Sequence, residues 1–174
     1  MKLLIYGMTE DEKKTLAEIR QQVDVEEIAF ADGIFTKDRI AEVDGFRAIW
    51  IMTNSMIGEE EARLLSEHGV RYIVSRAAGI DHLDLEALRK YGIKAANVPS
   101  YSPNAISEHT LMLLLNALRH MRRSEAMVAR RDFGIAGLCG REIRTMTIGV
   151  IGAGRIGTLT IKALVALGAK VLVH

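Results

Sequence analysis

Cysteine is nearly absent from this 174-residue chain: Cys139 is the only one. That excludes an internal disulfide and fits a reducing compartment. No histidine lies at a recognisable spacing from it, so a thiol nucleophile is not expected. Neither sign of charge dominates. Charged residues make up 26% of the sequence and the formal net charge is +1, which leaves no global field to draw in nucleic acid or an anionic membrane. Long apolar runs are missing as well. The run 111–115 falls far short of the ~20 residues that a bilayer requires. The opening Leu3-Leu4-Ile5-Tyr6 gives way to Glu10, Asp11 and Glu12 and is too short for a signal peptide. The expectation is a cytoplasmic protein with no membrane, nucleic-acid or metal partner. Fixed-period repeats and low-complexity tracts are also absent. The one concentration of cations, Arg119, His120, Arg122, Arg123, Arg130 and Arg131, has no interleaved aromatics and reads as a solvated helix face.

An apolar fraction of 49% is ample for a packed core. From the first residue, short β-type runs alternate with amphipathic stretches, the pattern of βα units around a parallel sheet. Strands are predicted at 2–6, 23–29, 46–52, 71–75 and 93–98, with helices between them. Local chemistry agrees: Thr9 can cap a helix ending near Gln22, Gly69 follows a helix begun near Glu59, and Gly92 follows one over 85–91.

Pro99 and Pro103 then interrupt the rhythm, since each disfavours helix at the residue before it. A domain boundary is predicted here, between 1–100 and 101–174. Ser102 as N-cap and Pro103 at the first helical position open a long helix running at least to Arg123. Its five consecutive apolar residues imply burial on more than one side. A glycine-containing loop, 134–140, leads to a new buried strand over 145–151, so a second α/β unit begins.

Directly after that strand stands Gly152-Ala153-Gly154-Arg155-Ile156-Gly157, a Gly-x-Gly-x-x-Gly sequence. Alone it is weak evidence; between a strand and a helix over 158–167, followed by Gly168 and a strand over 170–173, it is strong. Gly152 permits the tight turn, Gly154 admits a diphosphate to the backbone, and Gly157 lets helix pack on strand. The backbone through Arg155 and Ile156 would then present N–H groups to the anion at the positive end of the helix. Arg155 adds a cation there, or is simply an exposed arginine at a helix start. A ligand-free glycine turn is the structural alternative. The acidic residue that separates NAD from NADP is expected about 20 residues beyond the glycines, past His174, so that choice stays open.

Three segments together are far more specific: Ser75-Arg76-Ala77-Ala78-Gly79-Ile80-Asp81; Asn97-Val98-Pro99-Ser100-Tyr101-Ser102-Pro103-Asn104-Ala105-Ile106-Ser107-Glu108-His109; and Gly140-Arg141-Glu142-Ile143-Arg144 leading into the glycine strand. Over nearly its whole length the chain resembles the D-specific 2-hydroxyacid dehydrogenases, and within them the D-lactate dehydrogenase branch. The resemblance implies an α/β fold with a flavodoxin-like N-terminal substrate domain, followed by the start of a Rossmann dinucleotide-binding domain, with substrate in the cleft between the two. It implies NAD as cofactor, a small 2-oxoacid or 2-hydroxyacid as substrate, and a homodimer paired through the long helix and the loop at Gly140. Ala78 and Gly79 would hold the substrate carboxylate on backbone N–H groups, an anion nest that needs small residues; a plain strand-to-helix turn is the alternative. Tyr101 would reach the substrate with its phenol, or be an interfacial aromatic.

The family's catalytic arginine, and its histidine paired with a glutamate, have no match between Met1 and His174. His109, His82 and His68 read as packing residues and are not given the role. No catalytic residue is therefore expected in this chain, and a longer native protein is. Two readings follow. One is an oxidoreductase segment, with phosphoglycerate and formate dehydrogenases as the nearest rivals to the lactate type. The other is a non-catalytic dinucleotide-binding or dimerisation module.

Overall fold

A computed structural model describes residues 1–20 and 24–174, which fall into two compact units, Met1–Tyr101 and Ser102–His174. The first unit runs β1 (Lys2–Tyr6), α1 (Glu10–Ile19), β2 (Glu27–Ala31), a 3-10 segment Lys37–Val43, β3 (Ala48–Ile51), α2 (Glu59–Glu67), β4 (Tyr72–Ser75), α3 (Leu85–Lys90) and β5 (Lys94–Ala96). Its five strands lie in the order β2-β1-β3-β4-β5 and every pair is parallel. This is the flavodoxin-like order, which reverses direction between β1 and β3.

Period-two alternation sorts the side chains. Leu4, Tyr6, Ile49, Ile51 and Ile73 share one face of the sheet and pack with Ala62 and Leu65 of α2 and Ala87 and Leu88 of α3. Burying side chains of this size is worth about 1.5–3 kcal/mol each, so this layer dominates the unit. On the opposite face Ile5, Ala48 and Leu16 of α1 are buried, whereas Tyr72 stays 38% exposed. Thr9 closes a full capping box with Glu12 at the start of α1. Gly69 and Gly92 end α2 and α3 at positive φ, +89° and +70°, a conformation cheap only for glycine.

Strand bounds differ from expectation where pairing overrides local pattern. The second strand, predicted at 23–29, occupies Glu27–Ala31, because its register against β1 runs from Lys2↔Glu27 to Tyr6↔Ala31. Val23, with Gln22 at the predicted helix end, lies outside the described residues; α1 has its C-cap at Arg20. The fifth strand, predicted at 93–98, is Lys94–Ala96. Beyond it Asn97 and Val98 leave the ladder and bond to the loop after β4.

The second unit runs α4 (Pro103–Leu118), α5 (Met121–Ala129), a 3-10 turn Ile143–Thr145, β6 (Thr147–Val150), α6 (Arg155–Ala166) and β7 (Lys170–Val173). Strands β6 and β7 pair in parallel with α6 between them in sequence, a βαβ unit. The strand begins two residues later than the predicted 145–151, after the 3-10 turn. Ile143, Leu164 and Ala169 are its buried centre, with Leu111, Leu114 and Leu118 of α4 against them. Thr160 of α6 donates a buried hydrogen bond to Ser107 of α4 at 3.0 Å.

Two expectations about the long helix are corrected. It does not reach Arg123: His120 takes a left-handed φ of 53° and ends α4, and a separate α5 follows. The break frees the Leu118 carbonyl, which accepts the Arg141 N–H at 3.0 Å. Close approach there is possible because residue 140 is glycine; a Cβ would lie 2.6 Å from that carbonyl oxygen. Nor is the apolar run buried on more than one side. Leu111 and Leu114 face the core of the unit, while Met112, Leu113 and Leu115 are exposed, as helical periodicity requires when only one side is covered.

Candidate functional site

The two backbone turns singled out in the sequence lie one in each unit. In the second unit β6 ends at Val150, and Gly152 turns the chain at φ +90° while its N–H donates to the His174 carbonyl at 2.8 Å. Gly154 is the N-cap of α6 and no side chain caps that helix; its first turn carries no acidic residue. Helix α6 starts at Arg155, three residues before the predicted 158, so Arg155, Ile156 and Gly157 form its first turn. A Cβ on Gly157 would overlap the Gly152 carbonyl oxygen, whereas one on Gly152 or Gly154 would meet nothing within 4 Å. Gly157 is thus glycine for packing, and Gly154 for the open space in front of an uncapped helix N-terminus. Such a terminus attracts negative charge through its backbone N–H groups and the helix dipole. The donor set and the space fit a diphosphate.

In the first unit the loop after β4 carries Ala78 and Gly79, both exposed. Their amide nitrogens donate no hydrogen bond among the described residues. A Cβ on Gly79 would find only Asp81 Oδ2, at 3.8 Å, so a ligand can come close. Arg76 braces the start of the loop: it donates to the Gly7 carbonyl and pairs with Glu12, each at 3.0 Å, with its guanidinium 5.9 Å from the centre of the Trp50 ring. The Thr9 backbone N–H, then its hydroxyl and Arg76, hold the Glu12 carboxyl below its ordinary value. Glu12 therefore already occupies the N-terminus of α1, the anion site that a flavodoxin-like sheet otherwise offers beside β1. Tyr101, at the end of this unit, is 69% exposed.

Of the histidines set aside on sequence, His82 and His68 have structural contacts, whereas His109, expected as a packing residue, is exposed on α4. His82 is buried and shares a 2.9 Å hydrogen bond with Ser75 Oγ, and His68 Nδ1 lies 2.6 Å from Asp44. Cys139 is exposed as well. Among the described residues no three His, Cys, Asp or Glu side chains are grouped to hold a metal, and no helix is long and apolar enough to cross a membrane. Sequence reasoning gave no separate role to Arg76, Glu12 or Asn97. The Thr9-x-x-Glu12 capping box is a local signal for Glu12, but Glu12 and Arg76 meet only because β4 and α1 fold together, and Asn97 reaches Ala78 across 19 residues, so neither of those contacts had a local signal.

Residues 3–173 match the family described as D-isomer specific 2-hydroxyacid dehydrogenase, catalytic domain. The chain is 34% identical over 174 residues to a D-lactate dehydrogenase of Leuconostoc mesenteroides subsp. cremoris, covering 100% of this chain and 53% of that protein. It superposes on the apo-structure of Escherichia coli D-lactate dehydrogenase with a TM-score of 0.85 at 31% identity, over 99% of this chain and 54% of that one. With D-lactate dehydrogenase from Aquifex aeolicus, solved in complex with NAD and lactic acid, the TM-score is 0.81 at 28% identity, over 98% and 50% of the two chains. The chain spans about half the length of the curated relatives it matches.

Proposed function

This chain belongs to the D-isomer specific 2-hydroxyacid dehydrogenase family, and from that premise we propose that it forms the substrate-carboxylate site and the dinucleotide turn of an NAD-dependent enzyme that interconverts a small 2-oxoacid and its D-2-hydroxyacid. The observation that carries this reading is the glycine turn: Gly157 packed against the Gly152 carbonyl, and open space before Gly154 at an uncapped helix N-terminus. Residues Gly154 to Gly157 hold the cofactor diphosphate, with the Arg155 side chain adding positive charge. When bound, the cofactor supplies the hydride donor or acceptor. Ala78 and Gly79 receive the substrate carboxylate on two N–H groups, and the Tyr101 phenol donates a further hydrogen bond to the substrate. The residues 1–100 are thus a substrate domain, and 101–174 the linker helix and first βαβ unit of a dinucleotide domain.

No residue from Met1 to His174 is assigned as the proton donor or as the arginine that fixes the carboxylate. Pairing with a second copy through α4 and the loop at Gly140 fits the exposed apolar side chains there, Leu113, Phe133 at 77% and Ile135 at 84%. The test is oxidation of NADH by the native protein with pyruvate as acceptor, alongside a titration with NAD. Turnover with a D-configured product supports the enzyme. Nucleotide binding without turnover on any small 2-oxoacid transfers the reading to a non-catalytic dinucleotide-binding module, and absence of nucleotide binding removes both.

A further inference from the structure

The carbonyl groups behind the Ala78 and Gly79 amides are both taken. Asn97 Nδ2 donates to the Ala78 carbonyl at 2.8 Å, and the Val98 N–H donates to the Ala77 carbonyl at 3.0 Å. Each peptide unit is planar and trans, so its C=O and its N–H point in opposite directions. The Ala77 carbonyl shares its plane with the Ala78 N–H, and the Ala78 carbonyl shares its plane with the Gly79 N–H. Drawing both carbonyls toward the 97–98 segment therefore turns both N–H groups away from it. Those are the two amides without a hydrogen-bond acceptor among the described residues.

The two holds differ in kind. Val98 acts through its backbone, whereas the Ala78–Gly79 plane depends on one side chain, Asn97. Gly79 has no Cβ to restrict its own torsions, so an unheld plane there would rotate readily. From the other end, Arg76 fixes where the loop leaves β4, bonded to Gly7 and Glu12.

We propose that Asn97 is a positioning residue for substrate: by holding the Ala78 carbonyl it aims the Gly79 N–H at the carboxylate. The proposal rests on the reading of Ala78 and Gly79 as a carboxylate site. It also ties that site to the segment leading into Pro99 and Tyr101, since the residue that orients the amide lies two positions before Pro99.

The experiment is NMR on the full chain labelled at glycine and alanine nitrogen and at alanine carbonyl carbon, titrated with pyruvate in the presence of NAD in its oxidised form, so that no turnover occurs. In the wild-type protein both amides shift on titration. In Asn97→Ala the Ala78 carbonyl resonance moves, the Gly79 order parameter falls, and the Gly79 response to pyruvate is lost while that of Ala78 remains. Pyruvate affinity drops roughly five- to tenfold, the size of one hydrogen bond. Asn97→Ser, whose hydroxyl stops one bond short of the Nδ2 position, should behave the same way and guards against a folding defect in the first variant. A Gly79 order parameter and pyruvate response unchanged from wild type in both variants overturns the proposal. Silence of both wild-type amides toward pyruvate overturns the carboxylate reading itself, and the Gly79 order parameter then decides whether Asn97 holds the plane.

Discussion

At the scale of single residues, the three glycines of the turn are glycine for different reasons, and the difference is measurable. A methyl group at 157 would run into the Gly152 carbonyl. Gly157→Ala should therefore lower stability by about 1–3 kcal/mol, the usual cost of overpacking, and its melting temperature should fall whether or not nucleotide is present. Position 154 is open, with φ −70°, a conformation that alanine adopts freely. Gly154→Ala should leave the melting temperature unchanged while weakening NAD binding about tenfold, or ~1.4 kcal/mol. Calorimetry with and without NAD separates the two; equal effects of both variants on melting would remove the assignment of Gly154 to ligand approach. The spacing of these glycines was legible in the sequence because it lies within one strand, turn and helix. The holding of Ala78 by Asn97 was not, because 19 residues separate the partners and only the pairing of β4 with β5 brings them together.

Among the elements, α1 shows how a cap becomes a pH dependence. Thr9 and Glu12 satisfy each other's backbone N–H groups, and Thr9→Ala should cost ~1 kcal/mol of stability at neutral pH. Glu12 is held below its ordinary value of 4.5, first by the Thr9 N–H. A depressed carboxylate contributes fully above the unfolded-state value and loses that contribution as pH falls through the lower folded value. The stability gap between wild type and Glu12→Gln should accordingly be constant from neutrality down to about pH 5 and close below the unfolded-state value; denaturant melts across that range would show it, and a gap that widens in acid would contradict it. The junction of α4 and α5 offers a second check. His120 sits at φ 53°, where a side chain is strained and glycine is not. His120→Gly should be neutral or stabilising by up to about 1 kcal/mol, because the relief of strain outweighs the added freedom of the unfolded chain. A clear loss in thermal melting would mean that the imidazole does something there beyond ending a helix. Helical periodicity predicted one long helix through this point. The break answers to Arg141 and Gly140 docking on the Leu118 carbonyl, a contact invisible to any window along the chain.

For the molecule as a whole, the two units are unequally equipped to stand alone. The first wraps α2 and α3 over a five-stranded sheet, while the second has two strands and buries only Met127, Ile143, Leu164 and Ala169 among its described apolar side chains. Two strands rarely suffice for independent stability in water. A segment Met1–Tyr101 should unfold cooperatively in a thermal scan, whereas Ser102–His174 on its own should show no sharp transition; a cooperative melt of the second segment would mean that its exposed Leu113, Val165 and Leu172 cost less than expected. What the sequence determined by itself was whatever depends on short-range order. The alternation of β and α segments, the caps at Thr9 and Ser102, the glycine spacing at 152–157 and the family motifs all sit within a few residues of their own consequences. Tertiary structure alone decided the register of β2 and the end of β5. It also broke the α4 helix, paired Arg76 with Glu12, and oriented the Ala78 and Gly79 amides. Each of these is a hydrogen bond or packing contact between residues far apart in the chain, and its energy exists only once the sheet has brought them together.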